Sequence, residues 1–478
     1  MRLIRRFRPA RMLLAAVLAS GWAGPAQALH QLPPPQAEDR IAIIAPHPDD
    51  EVLATSGLIQ QAVAVGAQVK VIYLTNGDHN QANFRLFNWR RHDAADRLAL
   101  GEQRRAEAVA AMRLLGVPAE DLTFLGYPDW SMLRLWQDYW EADEVLYNNA
   151  THSTGVPYPE DFGYQHLYRA ENLTADLYAV LREFKPTRVF TTHPCDTNPD
   201  HRATANFVQL AVLQLAADGL RPALEFFVVH FRNWPAPLQY RPALTLEPPP
   251  ALRDNDWQTL PLTPAQVQRK YQATLTNQTQ TVNHRAFLTA FARANELFAD
   301  GQPPTIPFLP AQAPWDWTKA AQLRALAVLP AEAGYETNGI ATRPPAPTVL
   351  DLDRIAFLQQ DDTLITQVQF ANPHGRPGGV RWYLFGYKHG TAFTDLPKVQ
   401  ITILPDRRLQ VLVNHIAIED SDVTLTNVDG QMLVRIPLEL LGDTKLDYLF
   451  TAALAYNGAL IADDTAWHLL RLQPATKD

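Results

Sequence analysis

IAIIAPHPDDEVLA, Ile41 to Ala54, is the stretch on which the fold turns. Ile41 to Ile44 reads as a buried strand, and the chain leaves it directly into His47, Asp49 and Asp50. An imidazole and two carboxylates packed this closely behind an apolar strand fill a core badly and hold a metal ion well. A borderline divalent cation such as zinc accepts His nitrogen and carboxylate oxygen together. A second carboxylate beside such an ion can take a proton from water. A turn at the carboxyl end of a strand is also where open α/β sheets place their chemistry.

The flanking sequence alternates strand and helix. Val52 to Val65 is expected to be a helix stopped by Gly66, with Leu58, Ala62 and Val65 on one face. Val69 to Thr75 is a second strand, ending in Asn76-Gly77-Asp78, and Glu102 to Leu115 a helix closed by Gly116. Leu122 to Leu125 is a short strand ending near Asp129. Leu173, Leu177, Val180 and Leu181 form a helical face terminated by Pro186. Val189 to Thr192 and Leu224 to Val229 are two further strands, ending at His193 and His230. Residues 262–299 read as helical. This alternation over residues 40–232 predicts an α/β, Rossmann-like, mostly parallel sheet with helices on both faces. The polar candidates then converge at strand ends: His47, Asp49 and Asp50 after the first strand, Asp78 after the second, Asp129 after the third and His193 after the fourth.

A second polar cluster lies in TTHPCDTNPDHRAT, Thr191 to Thr204, which carries His193, Cys195, Asp196, Asp200 and His201. Taken with HPDDE, the later PDH resembles the pair of signatures of the PIG-L/LmbE family of metal-dependent N-acetylglucosaminyl deacetylases. Arg104-x-x-Glu107, GYPDW (Gly126 to Trp130), KYQATLTNQTQ and FARANELF extend the similarity over roughly residues 40 to 300. The resemblance implies that His47, Asp50 and His201 hold one Zn2+ (or another divalent metal) and that Asp49 is the general base. Three ligands leave a fourth position for water, as a catalytic zinc requires. Asp50 has a competing structural use as a helix N-cap ahead of Val52. Asn198 stands where the family usually has a histidine that stabilises the oxyanion. Either His193 takes that role, or Asn198, as an amide donor, and the cation suffice; failing both, catalysis is weak or absent.

Asp196 and Asp200 are expected to support the ligating histidines, with turn chemistry beside Pro194 and Pro199 as the alternative. Cys195 is not expected to be a ligand. The resemblance implies that Arg104 or Arg105 and Asp129 contact sugar hydroxyls, and Asp78 is a further substrate-side candidate. His230 reads as structural. Phe84 to Trp89, Trp130, Trp136 and Trp140 are either a sugar groove or ordinary packing.

The remaining sequence bounds the context. Arg2, Arg5, Arg6, Arg8 and Arg11, an apolar run from Met12 to Ala23, and Ala26-Gln27-Ala28 read as a signal peptide over residues 1–28. The apolar run is shorter than the roughly 20 residues that a spanning helix needs. An exported, periplasmic or secreted protein without stable membrane insertion is expected. Removing those five arginines and no acids takes the formal charge from -8 to -13, which disfavours nucleic-acid partners. A single cysteine excludes an intrachain disulfide.

The catalytic domain is expected over 38–300 and a Pro-rich connector over 301–348. A C-terminal β-sandwich is expected over 349–478, where ITQVQFAN, VRWYLFGY, VQITILP, LQVLVNH and MLVRIPL alternate as short β-runs. That module is read as either carbohydrate-binding or packed structurally on the catalytic domain. The sequence thus points to a zinc-dependent hydrolase removing acetyl groups from N-acetylated amino sugars in a glycan or glycoconjugate. An amidase for a non-sugar N-acyl substrate, or a glycan-binding protein of weak activity, is the alternative.

Overall fold

The computed structural model describes residues 29–79, 93–141, 143–327, 352–371, 378–428, 431–457 and 460–473. The predicted signal peptide, the aromatic stretch Phe84–Trp89 and the later half of the predicted connector lie outside the described residues.

The first part of the chain is an eight-stranded sheet in the order β1-β7-β8-β6-β5-β2-β3-β4. Its strands are β1 (His30–Gln31), β2 (Arg40–Ala45), β3 (Gln68–Thr75), β4 (Leu122–Tyr127), β5 (Arg188–Thr192), β6 (Ala223–Phe227), β7 (Trp257–Pro261) and β8 (Asn295–Asp300). The run from β4 through β6 is parallel throughout, whereas β8 pairs antiparallel with both β6 and β7. The helices are α1 (Asp50–Val65), α2 (Ala94–Leu115), α3 (Met132–Asp138), α4 (Ala170–Phe184), α5 (Pro199–Ala217), α6 (Pro264–Thr276) and α7 (Gln278–Leu288). They cover both faces, because alternate residues of β2 enter different cores. Ala42 and Ile44 pack with α4 and α5, while Ile41 and Ile43 pack with α1 and α2.

The strand order reverses between β2 and β5, which are neighbours although β3, β4 and the helices α1 to α4 lie between them in sequence. Connections leaving such a pair on opposite faces open a crevice at their carboxyl ends. The loops after β2 and β5 carry HPDD and HPCDTNPDH, so the topology brings the two sequence clusters together.

One expectation needs correction. The stretch 262–299 is not helical to its end: Asn295–Asp300 is a strand. Its residues Asn295 to Ala299 are all buried, so it carries no two-residue alternation to read. The charge of Glu296 is met by Lys270 Nζ at 2.7 Å and by the backbone N–H groups of Gly57 and Leu58 at 2.7 and 2.9 Å.

Beyond residue 300 the described residues form two further sheets, one of six strands and one of nine. The smaller centres on Leu352–Gln360, Thr363–Phe370 and Gln431–Pro437, paired antiparallel. The larger centres on Gly379–Tyr387, Lys398–Ile403 and Tyr448–Asn457. Short strands from the connector region join them: Ala321–Arg324 pairs with Leu352–Gln360, and Thr305–Ile306 with His468–Leu472. The two sheets share one apolar cluster, in which Phe357 of one meets Trp382 of the other edge-on at 5.5 Å. The opposite face of the larger sheet is buried as well. Tyr383, Phe385 and Tyr387 alternate with Trp382 and Leu384 and belong to the core of the α/β domain.

Candidate metal centre

The loop after β2 is tied down before it reaches the site. Pro46 O accepts from both the backbone N–H and the hydroxyl of Thr75 at the end of β3, at 3.0 and 2.9 Å. His47 follows, and its backbone N–H donates to Asp50 Oδ2 at 3.0 Å. Asp50 is the first residue of α1, so it is not the N-cap. Asp49 occupies the cap position, and its side chain makes no capping hydrogen bond. Asp49 has φ 128°, a conformation that L residues rarely adopt. A backbone held there stores about 1–3 kcal/mol and persists only where its surroundings enforce it. Two groups do so: Glu51 Oε2 accepts from the Asp49 N–H at 3.0 Å, and Arg104 Nη2 donates to Asp49 Oδ1 at 3.2 Å.

The loop after β5 ends in α5. Asp196 Oδ1 accepts from the Asn198 N–H at 3.0 Å, and Asn198 Oδ1 caps the helix by accepting from the Asp200 N–H at 2.9 Å. Pro199 fills the first helical position, where its missing N–H costs nothing. His201, one position further than Asp200, is completely buried and faces the β2 loop.

His47 Nδ1, Asp50 Oδ2 and His201 Nε2 form a closed triangle. Nδ1 to Oδ2 is 3.2 Å, Nε2 to Oδ2 is 3.2 Å, and the two nitrogens are 3.3 Å apart. Atoms bound to one tetrahedral zinc at about 2.0–2.2 Å stand roughly 3.3–3.5 Å from one another. The donor set and the spacing therefore fit a divalent cation.

The far nitrogen of each imidazole meets carboxylates. His47 Nε2 lies 3.1 Å from Asp129 Oδ1 and 3.2 Å from Asp200 Oδ2, and His201 Nδ1 lies 3.2 Å from Asp196 Oδ2. Such partners fix the tautomer that leaves the other nitrogen free for metal. The outer carboxylates are themselves held by backbone. Asp200 accepts from the Trp130 and Met132 N–H groups at 2.6 and 3.0 Å, and Asp196 Oδ2 from those of Val229 and His230 at 2.9 Å each.

Electrostatics follow from this crowding. Burial opposes charge on His201, but Asp196 and Asp50 outweigh it and raise the imidazole to about 9. Burial likewise opposes charge on His47, and Asp129, Asp200 and Asp50 overcome it. Burial pushes the Asp49 carboxyl up to about 7 against the pull of Arg104. Positive charge is favoured on the two histidines, whereas burial works against negative charge on Asp49.

The other sequence candidates fall into distinct settings. Asp129 is buried against His47, and its Oδ2 accepts from the His79 N–H at 2.7 Å. Asp78 lies beside it and accepts from the Tyr158 hydroxyl at 2.6 Å; burial and Asp129 push it up to about 7. Arg104 is 4% exposed and donates inward, to Gly77 O at 2.8 Å, Pro48 O at 2.7 Å and Asp49. Arg105 instead faces Asp161 at 3.5 Å.

His193 is not brought to the triangle. Its Nδ1 accepts from the Cys195 N–H at 3.0 Å, its Nε2 meets Asn255 Nδ2 at 2.7 Å, and its ring stacks on Trp257. With Cys195 and His468 it lines a cavity of about 390 Å³ beneath the C-terminal sheets. His230 does reach the centre, its ring 4.9 Å from that of His201. Trp136 and Trp140 are buried packing. Sequence reasoning assigned no role to Glu51, Tyr158 or Arg202. For Glu51 the signal was present, as the last letter of HPDDE.

A mostly parallel sheet that gathers two histidines and a carboxylate at its switch point, with a strained aspartate beside them, defines an α/β domain built around a candidate metal centre. Residues 42–212 match the family described as GlcNAc-PI de-N-acetylase, PIG-L, and the α/β part of this chain is similar to that family. Curated relatives include the 1D-myo-inositol 2-acetamido-2-deoxy-alpha-D-glucopyranoside deacetylase of Mycobacterium sp. (strain KMS). It is 33% identical over 175 residues, which are 36% of this chain and 50% of that protein. The protein of the same description from Streptomyces avermitilis is 28% identical over 206 residues, 42% of this chain and 63% of that one. The chain spans about half the length of the first of these. Among solved structures, the N,N'-diacetylchitobiose deacetylase from Pyrococcus horikoshii aligns over 54% of this chain and 82% of its own, with 19% identity and a TM-score of 0.34.

Proposed function

We propose that this protein is a zinc-dependent hydrolase that removes the acetyl group from N-acetylated amino sugars in a glycan or glycoconjugate. The observation that carries the reading is the triangle of His47, Asp50 and His201 with Asp49 at its side. The curated relatives act on an acetamido-deoxyglucopyranoside, which supports the substrate class. A cation held by His47, Asp50 and His201 supplies Lewis acidity toward water and the acyl carbonyl. Asp49 takes a proton from the attacking water as the new C–O bond forms, and returns it to the sugar nitrogen as the C–N bond breaks. Acetate and a free amine leave. Arg104 and Glu51 hold Asp49 in its strained, pre-aimed conformation. The capping geometry of Asn198 spends its carbonyl on Asp200 and leaves its amide N–H groups to donate to the developing oxyanion. His193, engaged on the cavity side, has no part in this scheme.

We read the two C-terminal sheets as a β-sandwich and residues 1–28 as an export signal, which favours an envelope or extracellular glycan. Among the described residues no helix is long and apolar enough to cross a membrane. The test is release of free amine from N-acetylglucosamine, its oligomers and polymeric N-acetylated glycans by zinc-loaded protein. Release that chelation abolishes supports the reading. A zinc-loaded protein that binds these glycans and releases no amine supports instead a binding protein disabled at Asn198.

A further inference from the structure

The C-terminal sheets reach the metal centre by two separate routes. Along the first, Asp464 Oδ2 accepts from Arg202 Nη1 in a buried ion pair. Arg202 follows the ligand His201, and its Nε donates to Asp196 O at 2.7 Å. Asp196 is the carboxylate that faces His201 Nδ1. Along the second, Trp136 of α3 is completely buried among rings of the larger sheet. Its centroid lies 5.0 Å from Phe450, 5.7 Å from Trp467 and 5.8 Å from Phe393 in the turn beside that sheet. The N-terminus of that same short helix is fastened to Asp200, the carboxylate that faces His47 Nε2. Each ligating histidine thus has its supporting carboxylate braced from the C-terminal region.

This arrangement is more than contact between neighbours. An arginine–aspartate pair buried to 7% and 6% exposure is expensive to desolvate and is kept only where its geometry is well satisfied. Asp464 meets that condition, because its Oδ1 also accepts from the Ala466 N–H. The pair therefore fixes the Arg202 fork, and the fork fixes the Asp196 carbonyl in the loop that leads into α5.

We propose that Asp464, acting through Arg202, is a positioning residue for the metal centre, so that the C-terminal module completes the catalytic site rather than serving as an appended binding domain. The proposal rests on the metal reading above. Its chemical content is specific: a negative charge at position 464 sets the orientation of Asp196 and with it the aim of His201.

The test compares full-length Asp464→Asn, Asp464→Glu and wild type, with Asp443→Asn as a control. Asp443 pairs with Lys388 on the surface. Zinc affinity is measured by competition with a chromogenic chelator, well below the melting temperature of each variant. Loss of a carboxylate that supports a metal-binding histidine typically weakens metal about 10–100-fold; one step further out, Asp464→Asn is expected to weaken zinc about 3–10-fold. Asp464→Glu restores much of the affinity, and Asp443→Asn leaves it unchanged. Because wild type and variants are read with zinc alone, no substrate is needed. Wild-type affinity in a folded Asp464→Asn overturns the positioning role alone. A wild-type chain that takes up no zinc overturns the metal reading together with it.

Discussion

Asp200→Asn is the most exacting test of how the histidines are held. Asp200 is completely buried and receives three hydrogens: Trp130 N–H at 2.6 Å and His47 Nε2 at 3.2 Å on Oδ2, and Met132 N–H at 3.0 Å on Oδ1. Asparagine offers one carbonyl and one NH2 group. Turned one way, the NH2 opposes Met132 N–H; turned the other, it opposes both Trp130 N–H and His47. The first orientation costs less and leaves one buried donor unpaired, worth about 1–3 kcal/mol of stability. In either orientation His47 loses a charged acceptor. Replacement of such a partner weakens metal binding about 10–100-fold. Asp129 Oδ1, 3.1 Å from the same nitrogen, shares the load. The single variant is therefore expected near the lower bound, about 10-fold or ~1.4 kcal/mol. Asp129→Asn with Asp200→Asn should lose more than the two single variants together, because each carboxylate substitutes for the other. The assay is zinc competition alongside thermal melting. Zinc affinity within about twofold of wild type in the double variant would refute the claim that these carboxylates set the His47 tautomer.

Further outcomes follow from the same geometry. A Cβ on Gly77, whose φ is +66°, would stand 2.1 Å from Arg104 Nη1. Gly77→Ala and Arg104→Lys should therefore both lower kcat with little change in KM, since Arg104 aims Asp49; a rise in KM at constant kcat would restore Arg104 to sugar binding. Burial holds His193 at about 3, so it is neutral in the folded chain. An unfolded imidazole, near 6.5, takes up a proton below that pH, so the unfolded state binds more protons there. Stability falls as pH drops from about 6.5 toward 3, by up to about 1.4 kcal/mol per unit from this group. His193→Asn, which keeps an acceptor for the Cys195 N–H, should flatten Tm against pH over that window, and an unchanged slope would refute the burial argument.

Much of the α/β domain was legible because its strands are short apolar runs punctuated by Gly66, Gly116 and Pro186. Their ends coincide with His47, Asp78, Asp129 and His193. The pairing of HPDD with PDH came from the family resemblance, and the reversal of strand order between β2 and β5 is what brings the two loops together. Other features had no local signal. Asn295–Asp300 is a strand because Lys270 and the α1 backbone neutralise Glu296 inside the sheet, a fact of tertiary structure. Arg104 looks like any helical arginine until Gly77 is seen to make room for it. The side on which His193 leaves its strand end is decided by Asn255 and Trp257, some sixty residues on. VRWYLFGY reads as one strand with a single buried face, yet both faces are covered, and only packing shows that the second face belongs to the core of the α/β domain.

The central claim is that Asp49 is the base of a cation-dependent deacetylase rather than part of its metal site. Asp49→Asn, loaded with zinc and assayed for amine release from N-acetylated glucosamine oligomers, addresses it most directly. We expect stoichiometric zinc uptake at close to wild-type affinity and loss of turnover by two orders of magnitude or more, about the contribution of general acid–base catalysis. Turnover that survives the substitution would contradict the account.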